Sequence, residues 1–131
     1  MATGSLCSFA GYVTEAGTRI IQEWYDGLPD EERDEVQDTL NYLGETPIVD
    51  WRRPEFDKVR DPLREIRCKA NKKNHEIRIY GVFDSAIRGR FIMLHPTEAK
   101  KKSNDASGQD LALKRLSLIN QRKANTHEFV I

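Results

Sequence analysis

Residues 64–83, REIRCKANKKNHEIRIYGVF, contain two runs of alternating apolar and charged residues on either side of a basic turn. Side chains of a strand point alternately to the two faces of its sheet. The pattern therefore predicts two strands, residues 63–70 and 76–83, joined as a hairpin. One face would be apolar. The other would carry a mostly cationic row, which consists of Glu65, Arg67, Lys69, Glu76, Arg78 and Tyr80.

Two further strands are predicted beside this hairpin. Residues 88–95 contain the run RFIML, which is apolar on both faces and is typical of a central or covered strand. A short polar connection joins it to the hairpin, so the three strands form an antiparallel meander. Near the start of the chain, SFAGYV at residues 8–13 predicts another strand. The sheet would then have about four strands.

Helical periodicity is present in three segments. TRIIQEWYDGL predicts a helix that Thr18 caps and Gly27 ends. LPDEERDEVQDTLNYLGETP predicts a second helix from Pro29 to Gly44, close enough to the first to form an antiparallel hairpin. SGQDLALKRLSLINQRKAN predicts a final helix capped by Ser107. The fold class is α+β, with an N-terminal strand and a helix hairpin packed on a mostly antiparallel sheet, and a C-terminal helix.

The length and composition predict one soluble domain. The chain has 131 residues, which fits a single domain over residues 1–131, with residues 1–6 and 126–131 expected to be flexible. Residues 45–61 show no periodicity and predict a loop that Trp51 and Phe56 hold to the core. No window approaches the roughly 18 apolar residues of a membrane span. The first residues also lack the pattern of a secretory signal, so we expect a cytoplasmic protein without membrane association.

The two cysteines, Cys7 and Cys68, do not have the spacing of metal ligands. Reduced thiols in a cytoplasmic protein are the favoured interpretation, and a disulfide between them is left open. No metal and no cofactor are expected.

The charge of the chain is unevenly distributed, although the formal net charge is +0. Residues 1–61 contain 14 acidic and 6 basic residues, and residues 62–131 contain 7 acidic and 15 basic residues. The basic half could neutralise the acidic half in the folded protein, or the cationic sheet face could bind an anion. Cations bind phosphates and an aromatic ring can stack on an unpaired base, so Tyr80 within this row favours single-stranded RNA as the ligand.

Three motifs resemble the RelE/ParE toxin superfamily, and within it the phage-derived HigB-like subgroup. FAGYVTEAGTRIIQEWYDGLPDEER is similar to the opening strand, turn and helix hairpin of the family. PLREIRCKANKKNHEIRIYGVF is similar to its leucine-x-glutamate-leucine-arginine strand and to the arginine-x-x-tyrosine strand that follows. FIMLHPTEAKKKSNDA is similar to its apolar strand followed by a paired lysine. Together these motifs span most of residues 8–123.

The resemblance implies the toxin of a toxin–antitoxin pair, an mRNA endoribonuclease that acts on the translating ribosome without a metal. Arg67 and Arg78 would neutralise the phosphate, Tyr80 would position the base, and His127 would be the candidate general acid or base. Lysines would hold the RNA backbone, and these are Lys69, Lys72, Lys73, Lys100, Lys101 and Lys102. The implied partners are mRNA, the ribosome and a helix-turn-helix antitoxin that covers the cationic face with an acidic segment.

Two alternative functions stay open at the level of the sequence. The first is a non-catalytic binding protein of the same fold from a prophage or plasmid. The neutral net charge favours it, since ribosome-directed proteins are usually strongly basic, and so does the weak match of the C-terminal residues to the acid–base residues of the family. The second is a gyrase inhibitor like the ParE branch. The REIR and RIYG strands are more similar to the HigB branch.

Overall fold

A computed structural model describes residues 6–69, 75–100 and 104–131. The described part of the chain forms three α-helices and a six-stranded, mostly antiparallel sheet, which confirms the predicted α+β class. In chain order the elements are β1 (Ser8–Val13), α1 (Ile20–Asp26), α2 (Asp30–Gly44), β2 (Phe56–Lys58), β3 (Arg64–Lys69), β4 (His75–Phe83), β5 (Arg90–Lys100), α3 (Ala106–Asn120) and β6 (Asn125–Glu128).

The sheet has the strand order β2-β3-β4-β5-β1-β6, and only β1 and β5 pair in parallel. It therefore contains two strands more than the four that the sequence predicts. Both additional strands lie at the edges and are short, three residues in β2 and four in β6. Strands of this length contain too few residues to produce a readable alternation of apolar and polar side chains.

The helices cover the two faces of the sheet separately. On one face, which we call the hairpin face, Gly11 of β1 lies against Ile21 of α1, and α2 packs on β3. On the other face, which we call the α3 face, Arg115 of α3 donates a hydrogen bond to the carbonyl oxygen of Leu94 in β5 at 2.9 Å. Both faces of the central strands are thus covered, which explains why RFIML is apolar on both sides.

An aromatic cluster closes the hairpin face near β2. The rings of Phe9, Trp51, Phe56, Phe83 and Phe91 lie with neighbouring centroids 5.2–6.5 Å apart. The indole nitrogen of Trp51 donates hydrogen bonds to the Leu43 carbonyl in the last turn of α2 at 3.0 Å and to the Thr46 carbonyl after it at 2.9 Å. The prediction that Trp51 and Phe56 hold the preceding loop to the core is confirmed.

The predicted helix caps differ from those in the structure. No side chain caps α1, because Thr18 lies one residue too early and donates its own backbone N–H to Thr14 Oγ1. Helix α3 begins at Ala106, so Ser107 is already helical and Asp105 is the capping residue, whose Oδ1 accepts from the Gly108 N–H at 3.2 Å.

The segment after α3 is tied to the N-terminal half of the chain. β6 pairs with β1, and the ring of Phe129 lies 5.1 Å from that of Tyr25 in α1. The side-chain amide of Gln22 both donates to the Val130 carbonyl at 2.8 Å and accepts from the Val130 N–H at 2.9 Å. Phe129 and Val130 belong to residues 126–131, which the sequence predicts to be flexible, and in the structure they contact α1.

Among the described residues, no helix has the length and apolar character that crossing a bilayer requires.

Both cysteines are free and buried, and we expect neither to react in the native protein. Burial raises the pKa of the Cys7 thiol to about 11 and that of the Cys68 thiol to about 12. Because the thiolate is the reactive form, a disulfide reagent at pH 7.5 should modify the native chain at least about 100-fold more slowly than a chain unfolded in guanidinium. Rapid modification of two thiols per native chain would contradict this burial.

Candidate functional site

Strands β3 and β4 bring the predicted site residues of the sheet together. Arg67 pairs directly with Arg78, and Glu65 pairs with Tyr80, so all four side chains lie on the α3 face. The predicted alternation is therefore correct for these strands, as is the grouping of Arg67, Arg78 and Tyr80.

The prediction that this row faces solvent is wrong for its central members. Arg78 is 4% exposed and Tyr80 is fully buried. The beginning of α3 lies over them, where the Tyr80 hydroxyl donates to Asp105 Oδ2 at 3.1 Å. The sequence indicates that α3 is a helix but gives no sign of the sheet face on which it packs.

The arginines of the row are paired with carboxylates. Arg67 Nε lies 2.6 Å from Glu65 Oε2, and Arg78 Nε lies 2.9 Å from Glu76 Oε1. Arg67 Nη2 also lies 3.4 Å from Asp57 Oδ2 on β2. A third arginine, Arg53, pairs with the same Asp57 carboxylate at 2.7 Å.

We call this set the arginine–carboxylate network, and its members are Arg53, Asp57, Glu65, Arg67, Glu76 and Arg78. Its three positive and three negative charges balance. The strongly cationic platform that the row predicts is therefore replaced by a neutral network whose guanidinium groups already have partners.

Glu65 is the most deeply placed carboxylate of the network. Burial raises its pKa, against the hydrogen bond and charge of Arg67 and the charge of Arg78, which lower it. Its Oε1 atom is buried, accepts no hydrogen bond from the described residues, and lies 4.0 Å from Arg78 Nε. A carboxylate with a raised pKa and a free lone pair beside two guanidinium groups can accept a proton.

Arg78 and Tyr80 are electrostatically coupled to this carboxylate group. Burial alone lowers the pKa of Arg78, but hydrogen bonds with Glu76 and Tyr80 and the charges of Glu65 and Glu76 raise it overall. Burial raises the pKa of Tyr80 to about 12, so its phenol is protonated at neutral pH. Tyr80 can therefore donate hydrogen bonds, but its buried ring is not an exposed surface for base stacking.

The network lines an open groove of about 320 Å³ between the sheet and the start of α3. This volume lies at the lower end of the range for ligand sites. Its walls are formed by Arg53, Val59, Glu65, Arg67, Arg78, Asn104 and Gln109. We call it the network groove. Arg67 is the more accessible of the two central arginines, with 30% of its side chain exposed against 5% for Arg78.

His127 does not join this site. It lies in β6, opposite Gly11 of β1, at the far edge of the sheet and three strands from β4. Gly11 faces α1, so His127 also belongs to the hairpin face rather than to the α3 face. At a strand spacing of about 4.8 Å, β6 is roughly 14 Å from β4. Its Nδ1 lies 2.8 Å from the Glu128 carbonyl oxygen.

Another histidine, His95, lies opposite Tyr80 on β5. Burial and the nearby charge of Arg115 lower its pKa, and Arg115 Nη1 lies 3.4 Å from His95 Nδ1. His95 therefore favours the neutral form and contacts α3, which fits a role in packing.

The predicted lysines are only partly described. Lys69 is exposed at the end of β3, and Lys100 ends β5. Lys72, Lys73, Lys101 and Lys102 lie outside the described residues.

Sequence reasoning missed the residues that neutralise the arginines. Glu65 and Glu76 were visible within the row, but as exceptions to its positive charge rather than as partners. Asp57, and likewise Asp105 as the partner of Tyr80, come from segments that no periodicity connects to the row. Among the described residues, no group of three or more metal-ligating side chains is present.

Comparison with known proteins gives one family. The model of a family described as phage derived protein Gp49-like (DUF891) matches residues 23–117. The matched region contains the whole network and ends before His127. No curated protein matches the chain.

Proposed function

Because the chain belongs to the Gp49-like family of phage-derived proteins, a family of toxins similar to RelE and HigB, we propose that it is a metal-independent endoribonuclease that cuts mRNA on the ribosome. Such a toxin would act in the cytoplasm and would be held inactive by a helix-turn-helix antitoxin. The observation that carries the proposal is the position of Glu65 between Arg67 and Arg78 in the network groove.

The chemistry of the proposal uses groups that the network holds together. Glu65 accepts the proton of the ribose 2′-hydroxyl, whose oxygen attacks the adjacent phosphorus. The bond from phosphorus to the 5′-oxygen of the next nucleotide breaks, which leaves a 2′,3′-cyclic phosphate, and the departing 5′-oxygen takes a proton from water. Arg67 and Arg78 stabilise the negative charge that develops on the phosphate oxygens. His127 is not part of the proposal, because it lies on the other face of the sheet.

Phosphate binding must compete with the ion pairs of the free protein. Arg67 is better suited to this exchange, because its side chain is partly exposed and contacts three carboxylates at 2.5–3.8 Å without being enclosed. Arg78 would keep its contact with Glu76 and act mainly through its charge. A phosphate that approaches Arg67 also raises the pKa of Glu65 further, which favours proton transfer to this carboxylate.

The test is expression of the chain without its antitoxin, followed by a ribosome-dependent RNA cleavage assay. We expect growth to stop with the wild type. Arg67→Ala should restore growth and slow cleavage at least about tenfold, and Glu65→Gln should do the same. Arg88→Ala, which removes an exposed arginine from the turn before β5, is the matched control and should remain toxic.

Two outcomes would contradict this assignment. One is full activity of a folded Arg67→Ala protein. The other is loss of activity in His127→Ala with an unchanged melting temperature, which would show that a catalytic residue lies at the far edge of the sheet.

A second candidate function is a non-catalytic binding protein of the same fold. It is supported by the pairing of both central arginines with carboxylates and by the balanced charge of the chain. This function predicts that the wild type binds its antitoxin but produces no cleavage products in the ribosome assay.

A further inference from the structure

A second groove, of about 350 Å³, lies at the outer end of β3. One wall is a stripe of α2, where Glu35, Asp38 and Tyr42 follow one another at helical spacing. The opposite wall is the turn that contains Pro54 and Glu55, and Lys69 lies at the end of the floor. We call this the acidic groove. It is distinct from the network groove, which lies under α3.

The floor of the acidic groove is an open sheet edge. β2 pairs with β3 only from Phe56 to Lys58, opposite Arg64–Ile66. The Glu55 carbonyl then accepts from the Arg67 N–H at 2.9 Å. Cys68 and Lys69 continue beyond the end of β2, with no strand paired on that side within the described ranges. Such an edge can be extended by a strand from another chain.

The charge around this edge selects the kind of chain that would bind. The helix hairpin of α1 and α2 carries eight acidic residues and one arginine, Arg33, which pairs with Asp30. Glu35 and Asp38 bring this negative charge to one wall of the groove, and Glu55 adds a further negative charge from the opposite wall. A nucleic acid would be repelled here, whereas lysine and arginine side chains would be attracted.

The groove also offers an apolar contact. Tyr42 is 52% exposed at its rim, although large apolar and aromatic side chains are usually buried. Its ring can support the aliphatic part of a lysine side chain or stack against a guanidinium group.

We propose that the acidic groove binds an extended segment rich in lysine and arginine from the antitoxin, which pairs with the end of β3 and directs its cations to Glu35, Asp38 and Glu55. This inference rests on the proposed function, since it names the docking site of the partner that a toxin requires. The sequence predicts that an acidic segment of the antitoxin covers a cationic face, whereas this proposal places a basic segment of the antitoxin in an acidic groove. The cationic row is neutralised internally, so the exposed field that a partner meets here is negative.

Binding at this position would also reach the candidate active site. Arg67 lines both the acidic groove and the network groove, and Glu76, which lines the acidic groove, lies 3.8 Å from Arg67 Nε. A segment in the acidic groove would therefore lie directly beside Arg67, and its cations would compete with Arg67 for the Glu76 carboxylate. This gives the partner a route to inhibition that does not require it to cover the network groove.

The experiment measures the affinity of the purified chain for the product of the neighbouring gene, where the antitoxin of the proposed function is expected, by calorimetry at about 150 mM salt. We expect Glu35→Lys with Asp38→Lys to weaken binding at least about tenfold. The matched control is Glu23→Lys with Asp34→Lys, which makes the same charge change at exposed positions of the same helix hairpin. The control should weaken binding less than about threefold, because it alters only the long-range field.

Each outcome decides between the two proposals. A complex that the groove variant does not weaken, or that the control weakens equally, overturns the docking site and leaves the toxin assignment intact. The absence of any complex with the wild-type chain overturns both. If the double charge reversal unfolds the chain, Asp38→Asn supplies the same test at nearly constant shape. Its affinity for the antitoxin should fall about threefold, and an unchanged affinity would count against the site. In cells, the groove variant should stay toxic when the antitoxin is co-expressed.

Discussion

Replacement of Arg78 by alanine is expected to lower the free energy of unfolding by about 3–5 kcal/mol. The guanidinium group is almost fully buried and its Nε lies 2.9 Å from Glu76 Oε1 and 4.0 Å from Glu65 Oε1. Removing it leaves these two carboxylates with Arg67 as their remaining guanidinium partner, in a site from which water is largely excluded. Urea denaturation at pH 7.5 measures the loss.

The pH dependence of this loss follows from the carboxylates. The charge of Arg78 lowers the pKa of Glu65, so the variant should have a folded-state pKa at Glu65 that is raised even further above the unfolded value. A group with a raised folded-state pKa stabilises the protein at low pH and loses that contribution as the pH rises through the folded pKa. The destabilisation by Arg78→Ala should therefore be smaller at pH 4.5 than at pH 7.5.

Arg53→Ala is the matched control for Arg78→Ala. Arg53 Nε also contacts a carboxylate, Asp57, at 2.7 Å, but 76% of its side chain is exposed. An exposed pair contributes less than about 1 kcal/mol. If both variants lost similar stability, burial would not be the reason for the importance of Arg78. If Arg78→Ala were as stable as the wild type, the network would have no structural role.

The second large effect is expected at Gly81, where alanine should destabilise the fold by about 3 kcal/mol. Gly81 follows the irregularity in the pairing of β4 with β5, at which the register shifts between Tyr80 and Gly81. A Cβ atom here would overlap the carbonyl oxygen of Ile92 and the ring of Phe91. Neither atom group can move easily, because one is sheet backbone and the other belongs to the aromatic cluster.

Gly44→Ala serves as the comparison for Gly81→Ala. The nearest atoms to a Cβ at Gly44 are 3.6 Å away, an ordinary contact distance. Gly44 is the last residue of α2, where alanine is the better helix former, so the change should be neutral or stabilising by up to about 1 kcal/mol. Thermal unfolding followed by circular dichroism measures both variants. Equal melting temperatures for Gly81→Ala and the wild type would rule out the close approach of β4 and β5.

These effects determine how activity data should be interpreted. An inactive Arg78→Ala protein would not by itself identify a phosphate ligand, because the same change is expected to unfold part of the population. Arg67 is the more informative position, since it is partly exposed and its loss leaves Arg78 beside Glu76. The melting temperature of every variant should therefore be measured together with its growth phenotype.

The sequence predicts the parts of this fold that repeat a local pattern. β1 is predicted at its observed bounds, and the alternation in β3 and β4 correctly places Arg67 and Arg78 side by side. The second helix has nearly its predicted extent, because Pro29 and Gly44 mark its ends. The family resemblance is consistent with the match over residues 23–117.

What the sequence could not predict depends on contacts between distant segments. Whether Tyr80 is exposed is decided by α3, through Asp105, 25 residues later in the chain. The partner of Arg67 on β2, Asp57, lies in a proline-rich segment without periodicity. The family resemblance groups His127 with the arginines, whereas its position in the structure follows from the pairing of β6 with β1.

The place of β1 in the sheet has a consequence for folding kinetics. Its two neighbours are β5 and β6, so Ser8 pairs with Arg90, and Ala10 pairs with Glu128 near the opposite end of the chain. No hairpin can form around this strand, and its pairing requires closure of very large loops before any stabilising contact is made. We therefore expect slow folding, on a timescale of milliseconds to seconds, with β3 and β4 organised before β1 inserts. During this interval β1 and the strands beside it would be open to a partner, and the antitoxin of the proposed function could bind the chain before its sheet is complete.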